Sequence, residues 1–226
     1  MSRGIREFNK REVQRMDFGY VIFDMDGTLL DSIPYWERLA LGYLEELGVS
    51  GPSDLDRRLS MMSVQEAGVC LREEFLMEKT AEEICSELCE RIHKNYREDI
   101  LLKPGVAEWL AHLKGQGAHM CVATASSAEI GKAALDRNGI LPYFDFLIDC
   151  EMVGIGKIDP AVYHLAAQRF GVTPADCVVV EDAAFALKTA KTAGYFTIGV
   201  YEPSEPAQDL IRQYSDLYIK DFHDLL

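Results

Sequence analysis

Along most of the chain, short runs of wholly apolar residues alternate with longer stretches in which apolar positions follow a helical period. The runs Tyr20-Val21-Ile22-Phe23, Met120-Cys121-Val122-Ala123, Phe146-Leu147-Ile148, Cys177-Val178-Val179-Val180 and Phe196-Thr197-Ile198-Gly199-Val200 carry no charge. They predict strands covered on both faces, as in a parallel sheet. Between them the pattern predicts helices over 106–115, 128–138, 160–170 and 183–193. Gly117, Gly139, Gly171 and Gly194 stand just past their ends, where glycine closes a helix most easily. Strand then helix, repeated, implies an α/β fold with a doubly wound parallel sheet.

One stretch breaks the alternation. From Ile33 to about Glu98 only helical periodicity is found, with Leu39, Tyr43, Leu44 and Leu47 on one apolar stripe and Ile84, Cys85, Leu88, Ile92 and Tyr96 on another. That is far more chain than a crossover between parallel strands requires, which with its helix is about a dozen residues or slightly more. It predicts a helical cap, residues 32–100, inserted over the sheet edge of an α/β core made of residues 1–31 and 101–226. Ser32-Ile33-Pro34 and Lys103-Pro104-Gly105 are the expected hinges.

Composition narrows the class. A chain of 226 residues, 48% hydrophobic and 27% charged, can bury an ordinary core, which excludes a disulfide-stapled miniprotein and a disordered segment. Acidic residues outnumber basic ones, 37 to 23, and the formal net charge of −14 argues against nucleic acid and anionic membranes as partners. An anionic substrate must then be drawn in by a local site. The six cysteines are scattered without a C-x-x-C pair or zinc spacing, so reduced, mostly buried thiols are expected. The opening MSRGIREFNKREVQRMDFGY is polar up to the first strand, and no apolar run reaches 18 residues. A soluble, cytoplasmic protein is the expectation.

In an open parallel sheet, ligands bind beyond the carboxyl ends of the strands. Those ends carry Asp24-Met25-Asp26-Gly27-Thr28, Thr124-Ala125-Ser126-Ser127 and Glu181-Asp182, with Gly154-Ile155-Gly156-Lys157 in a loop after the third run. Carboxylates, hydroxyls, amides and a lysine on one rim suit phosphoryl transfer. Carboxylate and carbonyl oxygens are the ligands Mg²⁺ takes while it keeps waters and bridges to a phosphate. Once a metal and a lysine offset the charge, one aspartate can attack phosphorus and a second can act as general acid and base. Hydroxyls and amides then hold the equatorial oxygens of the group in transfer. An EF-hand calcium loop is excluded, because it would put Ile22 and Ile33 at ligand positions.

The segment VIFDMDGTLLDS resembles the first motif of the haloacid dehalogenase (HAD) superfamily, and a hydroxyl, a lysine and a Glu-Asp pair follow in that family's order. The resemblance spans residues 20–32 and about 103–200, and the helical insert lies where the branch of β-phosphoglucomutase-like enzymes and phosphatases carries its cap. It implies a Rossmannoid fold and a Mg²⁺-dependent phosphatase that acts on a small phosphorylated metabolite through an aspartyl-phosphate. By that resemblance Asp24 is the nucleophile and Asp26 the acid and base. Thr124, Ala125, Ser126 and Lys157 would bind the phosphoryl group. Asp24, the carbonyl of Asp26 and Asp182 would bind Mg²⁺, with Glu181 at or just outside its shell, while Gly27 and Thr28 shape the turn. Ile158, Ala183 and Ala186 stand where the family often has Pro, Ser and Gly, departures that bear on loop geometry and on the cap of the following helix.

Within the superfamily, dehalogenation needs neither Asp26 nor the acid pair, and phosphonate cleavage needs a cap lysine rather than Asp26. The stronger alternative is a sugar phosphomutase, since mutases resembling β-phosphoglucomutase carry D-x-x-x-x-H after the first strand and a cationic cap loop. Here Trp36 stands at the histidine position and Leu59-Ser60-Met61-Met62-Ser63-Val64 has no cation. A phosphatase is therefore expected. A receiver-like phospho-acceptor module would be about half this length and uncapped. Arg57 and Arg58 are expected on a solvated helix face, and Tyr35, Trp36, Met61 and Met62 suggest a mixed apolar pocket.

Overall fold

The computed structural model describes residues 18–59, 62 and 64–226, so the polar amino-terminal stretch and Ser60, Met61 and Ser63 lie outside the described residues. From β1 (Tyr20–Phe23) the chain runs through five helices: α1 (Ile33–Trp36), α2 (Leu39–Glu46), α3 (Leu55–Leu59), α4 (Val64–Glu74) and α5 (Ala81–Glu98). It continues through α6 (Val106–Gly115), β2 (His119–Thr124), α7 (Ala128–Arg137), β3 (Phe146–Asp149), α8 (Ala161–Phe170) and β4 (Cys177–Glu181). α9 (Ala184–Thr192), β5 (Phe196–Val200), α10 (Gln208–Tyr214) and β6 (Leu217–Ile219) complete it. Two compact units result, one of Leu101–Leu226 with the chain up to Asp31 and one of Ser32–Ile100. No helix among the described residues is long and apolar enough to cross a membrane.

The first unit holds a six-stranded sheet in the order β3-β2-β1-β4-β5-β6, and every pairing is parallel. β1 is the centre because Val21, Ile22 and Phe23 are apolar toward both layers and fully buried. On one side Phe23 meets Trp109 of α6 edge to face at 5.5 Å, and Trp109 also packs on Phe18 and Phe222. Such edge-on ring contacts add to the apolar burial. Phe23 is in register with Val122 of β2 and Val180 of β4, so the residues just beyond all three strands come out on one rim. The strand order reverses at β1, the place where open α/β sheets bind ligands.

The rim is braced by a turn. Gly27 adopts φ 82°, a left-handed value that costs glycine nothing. This folds Leu29 and Leu30 back, so their amides donate to Met25 O, both at 2.9 Å, while Gly27 N donates to Leu30 O. Leu30 then pairs antiparallel with Leu102, and Lys103 N donates to Leu29 O at 2.9 Å. Lys103-Pro104-Gly105 is therefore part of the sheet unit rather than a hinge, a correction to the sequence reading. The side chain of Lys103 enters a buried ion pair with Glu202 at 2.6 Å.

In the helical unit, Thr80 starts α5 with a reciprocal capping box to Glu83, and Ile84, Leu88, Ile92 and Tyr96 are buried at helical spacing. Leu39, Tyr43 and Leu44 of α2 are buried too, but Leu47 lies past its end and is 42% exposed. Arg57 pairs with Asp54 and Arg58 with Glu74 on exposed surface. The cysteines also differ from expectation: all six are free, but only Cys121 and Cys177 are fully buried. Two elements escaped the sequence pattern, α10 and the edge strand β6. The latter has three residues, Leu217–Ile219.

Candidate active site

Asp24 is the first residue past β1, and its amide extends the ladder by donating to Val180 O at 2.9 Å. Its side chain therefore emerges beside the end of β4, which supplies Glu181 and then Asp182. One carboxylate oxygen from each of Asp24, Glu181 and Asp182 lies within 4.8 Å of the others. Lys157 reaches the same place from the loop after β3: its ammonium pairs with Asp24 Oδ1 and with Glu181 Oε1, the latter at 2.5 Å. These four residues are only 6%, 1%, 6% and 5% exposed for Asp24, Glu181, Asp182 and Lys157, so their charges stand out of water.

Burial and proximity set their ionisation. Burial by itself would depress the Lys157 pKa, yet Asp24 and Glu181 against its nitrogen more than reverse this and raise it, so the side chain is cationic. Burial pushes the Glu181 carboxyl up, and the charge of Asp24 adds to this while Lys157 and Tyr163 oppose it. Asp182 is raised by burial first, then by Asp24 and Glu181, against a hydrogen bond from Thr28. Three buried carboxylates face one ammonium. The donor set is all oxygen and short of positive charge, which fits a hard divalent cation such as Mg²⁺.

The other expected residues line the rim. Thr28, fully buried, donates to Asp182 Oδ1 at 2.9 Å, so its work is to orient a carboxylate. Thr124 ends β2 and accepts from Ser126 N at 3.0 Å, which curls Ala125 and Ser126 into a tight turn. Ser126 Oγ donates to Asp26 Oδ2 at 2.6 Å. Asp26 is half-buried, and its carboxylate is not part of the three-acid group. Met25, between Asp24 and Asp26, is fully buried, while Asp24 bonds to Lys157 and Asp26 to Ser126 at the rim.

Two residues at the site were missed in the sequence. Tyr163 of α8 is fully buried and donates to Glu181 Oε1 at 2.9 Å, sharing that oxygen with Lys157. Buried Asp149, at the end of β3, accepts from Ala128 N and Met152 N, each at 3.1 Å. It ties the start of α7, just beyond Ser126, to the turn that leads to Lys157. Tyr163 had a faint signal, a tyrosine one helical turn past Pro160 in the helix that follows Lys157. Asp149 carried the same signal as Asp24, an acid directly after an apolar strand run, and was passed over.

Comparison with known proteins bears on this arrangement. The family model described as haloacid dehalogenase-like hydrolase matches residues 19–194. The chain is 30% identical to β-phosphoglucomutase of Bacillus subtilis, over 90% of this chain and 93% of that protein. It is 32% identical to hexitol phosphatase A of Escherichia coli, over 81% and 83%. Among solved structures, a putative β-phosphoglucomutase from Thermotoga maritima superposes with a TM-score of 0.81 at 28% identity, covering 91% of this chain and 96% of the other.

Proposed function

This chain belongs to the haloacid dehalogenase-like hydrolases, and we propose that it is a Mg²⁺-dependent phosphatase that hydrolyses a small phosphorylated carbohydrate or similar metabolite through an aspartyl-phosphate on Asp24. The observation that carries this reading is the buried group of Asp24, Glu181 and Asp182 with Lys157 bonded into it. Asp24, Glu181 and Asp182, with the carbonyl of Asp26, would hold the cation. Bound there, Mg²⁺ offsets the repulsion between an anionic phosphate and an acidic site.

An oxygen of Asp24 attacks phosphorus, and the bond from phosphorus to the substrate oxygen breaks. Asp26 delivers its proton to that leaving oxygen, then takes a proton from the water that attacks the aspartyl-phosphate. The second attack releases inorganic phosphate and restores the Asp24 carboxylate. Lys157, Thr124 and the amides of the Ala125-Ser126 turn hold the phosphoryl oxygens. Residues 32–100 serve as the specificity-bearing cap.

Phosphatase is preferred to phosphomutase for a reason in that unit. Trp36, at the position where mutases carry histidine, donates its indole N–H to Tyr96 Oη at 3.1 Å, and an indole, a donor only, cannot serve as a general acid or base. Hexitol phosphatase A among the relatives favours the same choice. The test measures phosphate release from a panel of hexose and hexitol phosphates with Mg²⁺, beside isomerisation of β-glucose 1-phosphate. Phosphate release is expected, with a loss on the order of a thousandfold or more in Asp24→Asn. Isomerisation faster than phosphate release would make the chain a mutase.

A further inference from the structure

α9 begins so soon after β4 that Asp182 and Ala183 are all the chain between sheet and helix. Ala183, in the N-cap position, has extended backbone angles (φ −87°, ψ 125°) and no side-chain acceptor, and the first turn of α9 contains no acid. Such a start leaves its amides without the oxygen that Ser, Thr, Asp or Asn normally provides. The acceptor comes from 21 residues further on: Glu205 Oε2, in the loop between β5 and α10, accepts from Ala184 N at 3.3 Å. Its other oxygen accepts from Ala207 N at 2.8 Å. The loop is itself pinned, because Gln208 Nε2 donates to the carbonyls of Glu202 and Glu205 at 2.7 and 2.9 Å. Buried Glu202 holds Lys103 and accepts from Ser204 N. The Glu205 carboxylate is thus fixed before it meets α9, and its charge complements the helix dipole.

We propose that Glu205 is a positioning residue for the acid pair: from the β5–α10 loop it supplies the N-cap that the sequence of α9 lacks, and so fixes the two-residue link bearing Asp182. The ladder of β4 with β5 holds that link on one side, through Glu181 opposite Gly199, and the cap holds it on the other. Thr28 then aims the Asp182 carboxylate. The role rests on the reading above that Glu181 and Asp182 bind the cation.

The experiment pairs amide hydrogen exchange of α9 in metal-free protein with calorimetric titration of Mg²⁺. Glu205→Ala is expected to speed exchange of the first turn of α9 on the order of tenfold and to weaken Mg²⁺ binding roughly threefold to tenfold. Glu205→Gln keeps an oxygen acceptor and should fall between. Ala183→Ser added to Glu205→Ala should bring both readings back to within about twofold of the starting protein, since a serine caps locally. General destabilisation would not be mended by one hydroxyl at that position. Unchanged exchange in Glu205→Ala, or a defect that Ala183→Ser leaves in place, overturns the proposal. If Glu205→Ala does not fold, Glu205→Gln with and without Ala183→Ser decides by the same criteria. Failure of the starting protein to bind Mg²⁺, with α9 exchange still answering to Glu205, overturns the metal reading and leaves the cap in place.

Discussion

In the proposed reaction Asp26 and Tyr163 have separable roles, and the substrate's leaving group tells them apart. An alcohol must be protonated as it departs, whereas p-nitrophenolate leaves without help. Asp26→Asn is therefore expected to cut turnover of a hexose phosphate by roughly 10²–10⁴-fold. The loss on p-nitrophenyl phosphate should be smaller, while calorimetry finds Mg²⁺ affinity little changed; equal losses on both substrates would remove Asp26 as the acid. Tyr163 is bonded instead to an acid of the proposed metal site, its hydroxyl sharing Glu181 Oε1 with Lys157. Tyr163→Phe removes one hydrogen bond to a charged group, so kcat should fall by about tenfold on both substrates with KM nearly constant. An unaltered kcat would make the phenol a packing residue only. The acids and the hydroxyls were legible because they stand at strand ends in sequence, and Lys157 because it falls between those motifs in the family's order. Asp149 also ends a strand and was passed over, while Tyr163 and Glu205 lie inside a helix and a loop and meet their partners across 18 and 21 residues.

Elements were legible where both faces of a strand are apolar or where glycine stops a helix. Gly117, Gly139, Gly171 and Gly194 all take positive φ beyond α6, α7, α8 and α9. β6 stayed hidden because the helix before it, α10, is short and ends at Ser215 without a glycine stop, so the alternation of helix and strand was not visible there. Gly105 was read as hinge chemistry from its Pro-Gly pair, yet its importance lies in packing. It starts α6 at φ 80°, and a Cβ there would lie 2.7 Å from His223 N and 2.9 Å from the carbonyl carbon of Phe222, both backbone atoms. Neither can step aside without moving the last turn of the chain, which carries buried Phe222 against Trp109. Gly105→Ala should therefore destabilise by about 2–4 kcal/mol, from left-handed strain and overpacking together. Urea unfolding checks this; a midpoint within error of the unsubstituted protein would mean the carboxyl end yields freely.

For the molecule as a whole, the sequence marks the insertion only as a change of period, from alternating runs to unbroken helix. The structure adds how the sheet unit closes at the point of insertion. Asp31 N donates to Leu101 O at 2.9 Å, and Leu30 pairs antiparallel with Leu102. The chain thus leaves and re-enters the sheet unit as two arms of a short ladder whose ends already face each other. A two-residue Asn-Gly turn spans such ends with the twist that antiparallel arms require. Replacing residues 32–100 by that turn also shortens the loop to be closed, which lowers its entropic cost. The shortened chain is expected to unfold cooperatively, to keep slow hydrogen exchange in β1, β2 and β4, and to bind Mg²⁺ through Asp24, Glu181 and Asp182. Its hydrolysis of hexose phosphates should fall far more than its hydrolysis of p-nitrophenyl phosphate, because specificity is assigned to the excised helices. Loss of protection across the sheet would show instead that the helical unit is needed for the core to fold, and that the ladder from Leu30 to Leu102 does not close it alone.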